Sequence, residues 1–187
     1  ATVHHFLPPT FPLEAHVTEH MRNLCATTWK ALRAGEVEKM KEMTEKTGKS
    51  GVVLFYDEFY YRLFERAHVF CDLFPNMKTR GQVLIMATEF LLSIKGDRCD
   101  NKELKILHHM GAKHRLKKGI RPWQFSAYAS AFLETIMFWM GGQAGNILGE
   151  AWTVVFAYSA EKMLQAFCPN MVESTDFYQN CDVKAAR

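Results

Sequence analysis

Between Pro122 and Gly141, Phe125, Ala129, Phe132, Leu133, Ile136, Trp139 and Met140 recur at steps of three and four residues. Only a helix, with about 3.6 residues per turn, brings such positions onto one side. Pro122 suits its first turn, and Gly141-Gly142 stops it. The same period returns between Ile147 and Phe167, where Leu148, Ala151, Trp152, Val155, Ser159 and Ala166 share a side. It marks "VTEHMRNLCATTWKAL" as well, with Val17, Met21, Leu24, Thr28 and Leu32 in step and Trp29 beside them. "VVLFYDEFYYRLFERAHVF" reads as an aromatic-rich helix, and another begins near Met77 and ends at the polar run from Lys95-Gly96-Asp97 to Asn101. Strand-like alternation is almost absent, so the expected fold is all-α, about seven or eight helices with short links.

A chain of 187 residues, 48% of them hydrophobic, can bury one substantial core. The periodic region, residues 17–167, is the expected domain, with a Pro-rich extension at 1–16 and a C-terminal extension at 168–187. The charged stretch 34–50 within it reads as a surface connector, helical or irregular. The formal charge of +3 comes from 23 basic and 20 acidic residues in close mixture, which argues against nucleic acid as a partner. The most basic run, "KHRLKKGIR", lacks an aromatic reading surface.

Five cysteines without a CxxC pair imply free thiols in a reducing, cytoplasmic setting. Glu134 and the Gly141-Gly142 pair interrupt the apolar stretches before the roughly 20 residues a bilayer requires, so no membrane span is expected. "ATVHHFLPPTFPLEA" lacks the charged start and apolar run of a signal peptide, and without an initiator Met it reads as the start of a trimmed or longer chain. Nothing in the sequence fixes an oligomeric state.

Three of the eight histidines fall in "LKILHHMGAKHRLKKGI". As a helix, this segment sets Leu104, Leu107, Gly111 and His114 on one face and His109 on the other with Lys105 and Lys113, while His108 lies at the margin. His114 is therefore the inward histidine. It is either a core residue bonded to a backbone carbonyl or a ligand facing a cavity. Gly111, one turn earlier, removes bulk from the same face, and a flat ligand lying against the helix would need that clearance.

"MGAKHRLKKGIRPWQF" resembles the proximal segment of a globin, in which a short helix carries the haem-iron histidine and is followed by Gly-Ile and a long aromatic-lined helix. "FYYRLFERAHVFCDLFP" is similar to the FYxxLF…LF run of flavohaemoglobins and related single-domain globins, and "EAWTVVFAYSAEKM" to the AWxxxY segment of the last globin helix. The resemblance spans about residues 17–167. It implies a globin fold enclosing haem b, with His114 as the metal ligand and Phe74, Leu84, Ile120 and Phe125 walling the cofactor. It also implies that Tyr60 faces the bound gas, fourteen residues before Phe74. Tyr56 and Phe70 share that spacing, although "RLF" and "LFP" match better around Tyr60 and Phe74. The distal glutamine or histidine of the family falls on Arg80, or on Gln82 if the usual distance to the iron histidine is kept. Amphipathicity favours Arg80, since Leu84, Ala87 and Leu91 then follow on its face.

Flavohaemoglobins tune the iron histidine with a carboxylate and a tyrosine, and the corresponding positions here read Phe167, Phe156 and Phe125. Without a second-shell carboxylate the histidine is a weaker electron donor, which disfavours peroxidase-like chemistry. No GxGxxG marks a flavin or nicotinamide domain, so any turnover would draw electrons from a separate reductase. Three functions share the expected site: reversible binding of oxygen, carbon monoxide or nitric oxide; gas sensing within a larger signalling protein with a fused output domain; and nitric oxide dioxygenation. The first is favoured, which makes the chain a carrier rather than an enzyme. A haem-free helical interaction module is the reading from a different class.

Overall fold

The first long helix, α1, runs Glu19–Ala34. It is started by Thr18, whose hydroxyl accepts from the Met21 amide at 3.2 Å, and stopped by Gly35 in the left-handed region at φ 72°. Val17, in step with the helix by sequence, lies before this cap. The computed structural model describes residues 3–95 and 101–169, so Gly96, Asp97, Cys99, Cys181 and the tail from 170 lie outside the described residues.

The helices that follow are α2 (Glu38–Thr47), α3 (Gly51–Arg66), α4 (Val69–Leu73), α5 (Met77–Ser93), α6 (Asn101–Leu116), α7 (Trp123–Met140) and α8 (Asn146–Phe167). Among the described residues the fold is all-α with no strand. No helix there is long and apolar enough to cross a membrane.

α8 is the spine of the molecule. Every residue from Val155 to Ala160 is buried, because α1 and α6 flank the helix while α5 and α7 touch it further round. α3 crosses α7, and the core gathers where they meet. The Phe132 ring lies 5.3 Å from Phe55, 5.9 Å from Phe59, 5.7 Å from Trp152 and 4.9 Å from Phe156. Tilted and edge-on contacts of this kind add directional stability to the apolar burial.

Two glycines set helix spacing. A β-carbon on Gly51 would stand 2.3 Å from the Gly35 nitrogen, so α3 begins in contact with the end of α1. A β-carbon on Gly111 would stand 2.0 Å from the Met163 carbonyl oxygen. Gly111 thus brings the backbones of α6 and α8 together. Clearance for a flat ligand, expected from the sequence, is not what the residue provides, because its open side faces α8.

The charged stretch after Gly35 has a definite place. It forms α2, which buries Met40 and, just before its start, Val37. Lys39 donates to the Phe138 carbonyl at 3.1 Å with its ammonium 3.2 Å from the centre of that ring, joining α2 to α7. The lead-in is also packed rather than appended. Val3, Leu7, Phe11, Ala15 and Val17 are all buried in the core, and the short 3-10 turn His4–Phe6 lies on α7.

Candidate ligand cavity

Between α5 and α6, closed at its sides by α4, α7 and α8, lies an apolar cavity of about 590 Å³. That volume is within the usual range for small-molecule and cofactor sites, ~300–1,000 Å³. Four residues expected from the sequence line it: Phe74, His114, Ile120 and Phe125.

His114 stands in the last turn of α6, half-buried. Its Nδ1 lies 2.7 Å from the Met110 carbonyl oxygen one turn earlier. A carbonyl only accepts, so Nδ1 carries the proton and Nε2 holds the free lone pair. The ring packs edge-on against Phe125 at 5.9 Å, and Phe125 in turn against Phe167 at 5.5 Å. The imidazole is therefore oriented by a backbone carbonyl and two aromatic rings.

The other expected residues lie elsewhere. Leu84 is fully buried in the core and does not reach the cavity, and Gln82 is exposed. Arg80 also misses the wall. Its Nε donates to the Phe74 carbonyl, closing the corner from α4 to α5, and its guanidinium lies 4.8 Å from the centre of the Phe64 ring. α5 presents Thr79, Val83, Met86, Ala87, Thr88, Phe90 and Leu91 to the cavity, so Ala87 and Leu91 of the expected face are in the wall, while in the first two turns Thr79 and Val83 stand there in place of Arg80 and Leu84. Thr79 and Val83 are thus wall residues that sequence reasoning missed. The signal was weak because "VLIMA" is apolar all round.

Tyr60 is buried on α3, and its hydroxyl donates to the Arg80 carbonyl at 2.9 Å. Its proton is committed to α5, so the expected free donor at this position is corrected to a helix-to-helix tie. Burial, and then its neighbours Tyr128 and Tyr56, push its pKa well above the ordinary phenol value.

Two hydroxyl-bearing residues of the wall were not foreseen. Tyr128 of α7 and Ser159 of α8 both line the cavity, and the hydroxyl of each is shielded from water with no hydrogen-bond partner among the described residues. They lie within helical stripes that the sequence marks only as core. At the rim, exposed Lys117 is the wall's cation.

The wall residues are of the kinds that could hold a haem. Among the described residues there is no cluster of three or more His, Cys, Asp or Glu able to hold a bare metal ion. A single oriented imidazole suits a metal that brings its other ligands with it, as a metalloporphyrin does. The apolar walls suit the macrocycle, and Lys117 suits an acidic edge facing water.

Comparison of the chain with family models, curated proteins and solved structures finds no match.

Proposed function

We propose that this protein is a globin-like haem protein that reversibly binds oxygen and related diatomic gases. The observation that carries the reading is His114: a cavity-lining imidazole whose Nδ1 is fixed on the Met110 carbonyl, which leaves Nε2 as a ligand nitrogen. Haem b would be held there by His114, and when ferrous it supplies one open coordination position for a gas.

The chain's own residues do the rest. The Met110 carbonyl sets the tautomer and orientation of His114. Phe125, Ile120 and Phe74 give the cavity apolar walls, which would keep water from a ferrous centre held there and slow its oxidation. Thr79 and Val83 cover the side opposite α6. Among the described wall residues no carboxylate stands beside His114, so the neutral Met110 carbonyl is the acceptor on its Nδ1, a weaker push than a carboxylate gives; this favours binding over oxidative chemistry.

The test is an absorption spectrum of the purified protein reconstituted with haem, taken ferric, ferrous and ferrous under oxygen. The expected result is a five-coordinate ferrous spectrum that converts to a stable oxygenated form, with both lost in His114→Ala. A His114→Ala protein that keeps the wild-type ferrous spectrum would overturn the assignment, as would wild-type protein that takes up no haem.

A further inference from the structure

Burying a hydroxyl without a partner costs about 1–3 kcal/mol, so such a group calls for an explanation. The cavity has two, Tyr128 and Ser159, in a wall whose surface is mainly apolar. The haem macrocycle gives no account of them, because its hydrogen-bonding groups are the propionates and these belong at the rim with Lys117. A small polar ligand does, seated where the wall yields to reach hydroxyls that water does not touch in this structure.

The tyrosines near the inner wall divide their roles by hydrogen bonding. Tyr60 donates to the Arg80 carbonyl and does not line the cavity. Tyr128 lines it, packs against Phe59 at 5.0 Å, and has its hydroxyl unpartnered. Resting on the haem reading above, we infer that Tyr128, and not Tyr60, is the specificity-determining donor to the gas, selecting oxygen over carbon monoxide. Burial raises the Tyr128 pKa, so at neutral pH the phenol keeps the proton it would donate. An oxygen ligand, with negative charge on its outer atom, gains from this donor; carbon monoxide gains little.

The two tyrosines then respond oppositely to loss of the hydroxyl. In Tyr128→Phe the oxygen dissociation rate rises about tenfold or more, since a charge-assisted hydrogen bond is lost. Carbon monoxide dissociation stays within about twofold, its stretching band moves to higher frequency, and the haem-free protein melts no lower than wild type. In Tyr60→Phe the melting temperature falls while oxygen dissociation is unchanged. The stretching band of the carbon monoxide complex also shifts in deuterated water in wild type and in Tyr60→Phe, and loses that shift in Tyr128→Phe.

Oxygen dissociation that is unchanged in Tyr128→Phe and accelerated in Tyr60→Phe would overturn the inference and leave the haem reading standing. No deuterium shift in wild type would also overturn it. Wild-type protein without a specific haem spectrum would overturn both, so the two failures are distinguishable.

Discussion

Replacing Gly111 with Ala tests the claim that α6 and α8 meet backbone to backbone. The added β-carbon would stand 2.0 Å from the Met163 carbonyl oxygen, 2.8 Å from its carbon and 3.0 Å from its α-carbon. All three are main-chain atoms, so no side chain can turn aside. To reach ordinary contact the helices must part by more than 1 Å. Overpacking costs about 1–3 kcal/mol, and a clash with backbone belongs at the upper end. Against this, alanine gains ~1 kcal/mol over glycine inside a helix. The steric cost wins by about 2 kcal/mol, and at ~2–4 °C per kcal/mol for a chain of this size the melting temperature drops by about 4–8 °C. Thermal unfolding followed by circular dichroism measures it directly. A variant as stable as wild type, or more stable, would refute the close approach. If haem is bound, His114 moves with α6 and the ferrous spectrum changes too.

Other outcomes follow from the packing. Phe132→Ala removes the ring that Phe55, Phe59, Trp152 and Phe156 surround, and urea titration is expected to show a loss of about 3–5 kcal/mol. Gly51→Ala drives a β-carbon into the Gly35 backbone and lowers the melting temperature; an unchanged value would contradict the α1–α3 contact. Burial pushes the Cys25 thiol from 9.0 up to about 12, so the folded chain holds this proton more tightly than the unfolded chain. That contribution to stability is complete below pH 9.0 and is lost as the pH rises toward 12, which alkaline unfolding titrations of wild type and Cys25→Ala would resolve. Iodoacetamide should accordingly label half-buried Cys71 in the native protein and reach Cys25 only on unfolding.

Helix periodicity made α7 and α8 legible, because both carry apolar stripes bounded by clear stops. It failed to orient α5. "QVLIMATEFLL" has apolar residues around most of its circumference, and the wall takes Thr79 and Val83 in place of Arg80 and Leu84 while keeping Ala87 and Leu91. His114 was readable because its helix is polar enough for one face to stand out. Gly111 stands out there without revealing its partner: a glycine shows in sequence that something comes close, but not from which side. Tyr128 and Ser159 were hidden for another reason. An unpaired hydroxyl is a property of its neighbours in space, and a helical stripe records only burial. The lead-in stands apart in sequence because "HHFLPPTFPL" has no period, yet its apolar residues find the core without one.

The packed lead-in also has a consequence for the order of assembly. The turn at His4–Phe6 rests on α7, more than a hundred residues further along the chain. Closing so long a loop costs only modestly more entropy than closing a short one, but it must wait until α7 exists and has docked. During synthesis Val3, Leu7 and Phe11 therefore stay exposed while nearly all the described helices form behind them. The segment made before the described α-helices is among the last to be seated, and until then its apolar side chains are open to chaperones or to other chains.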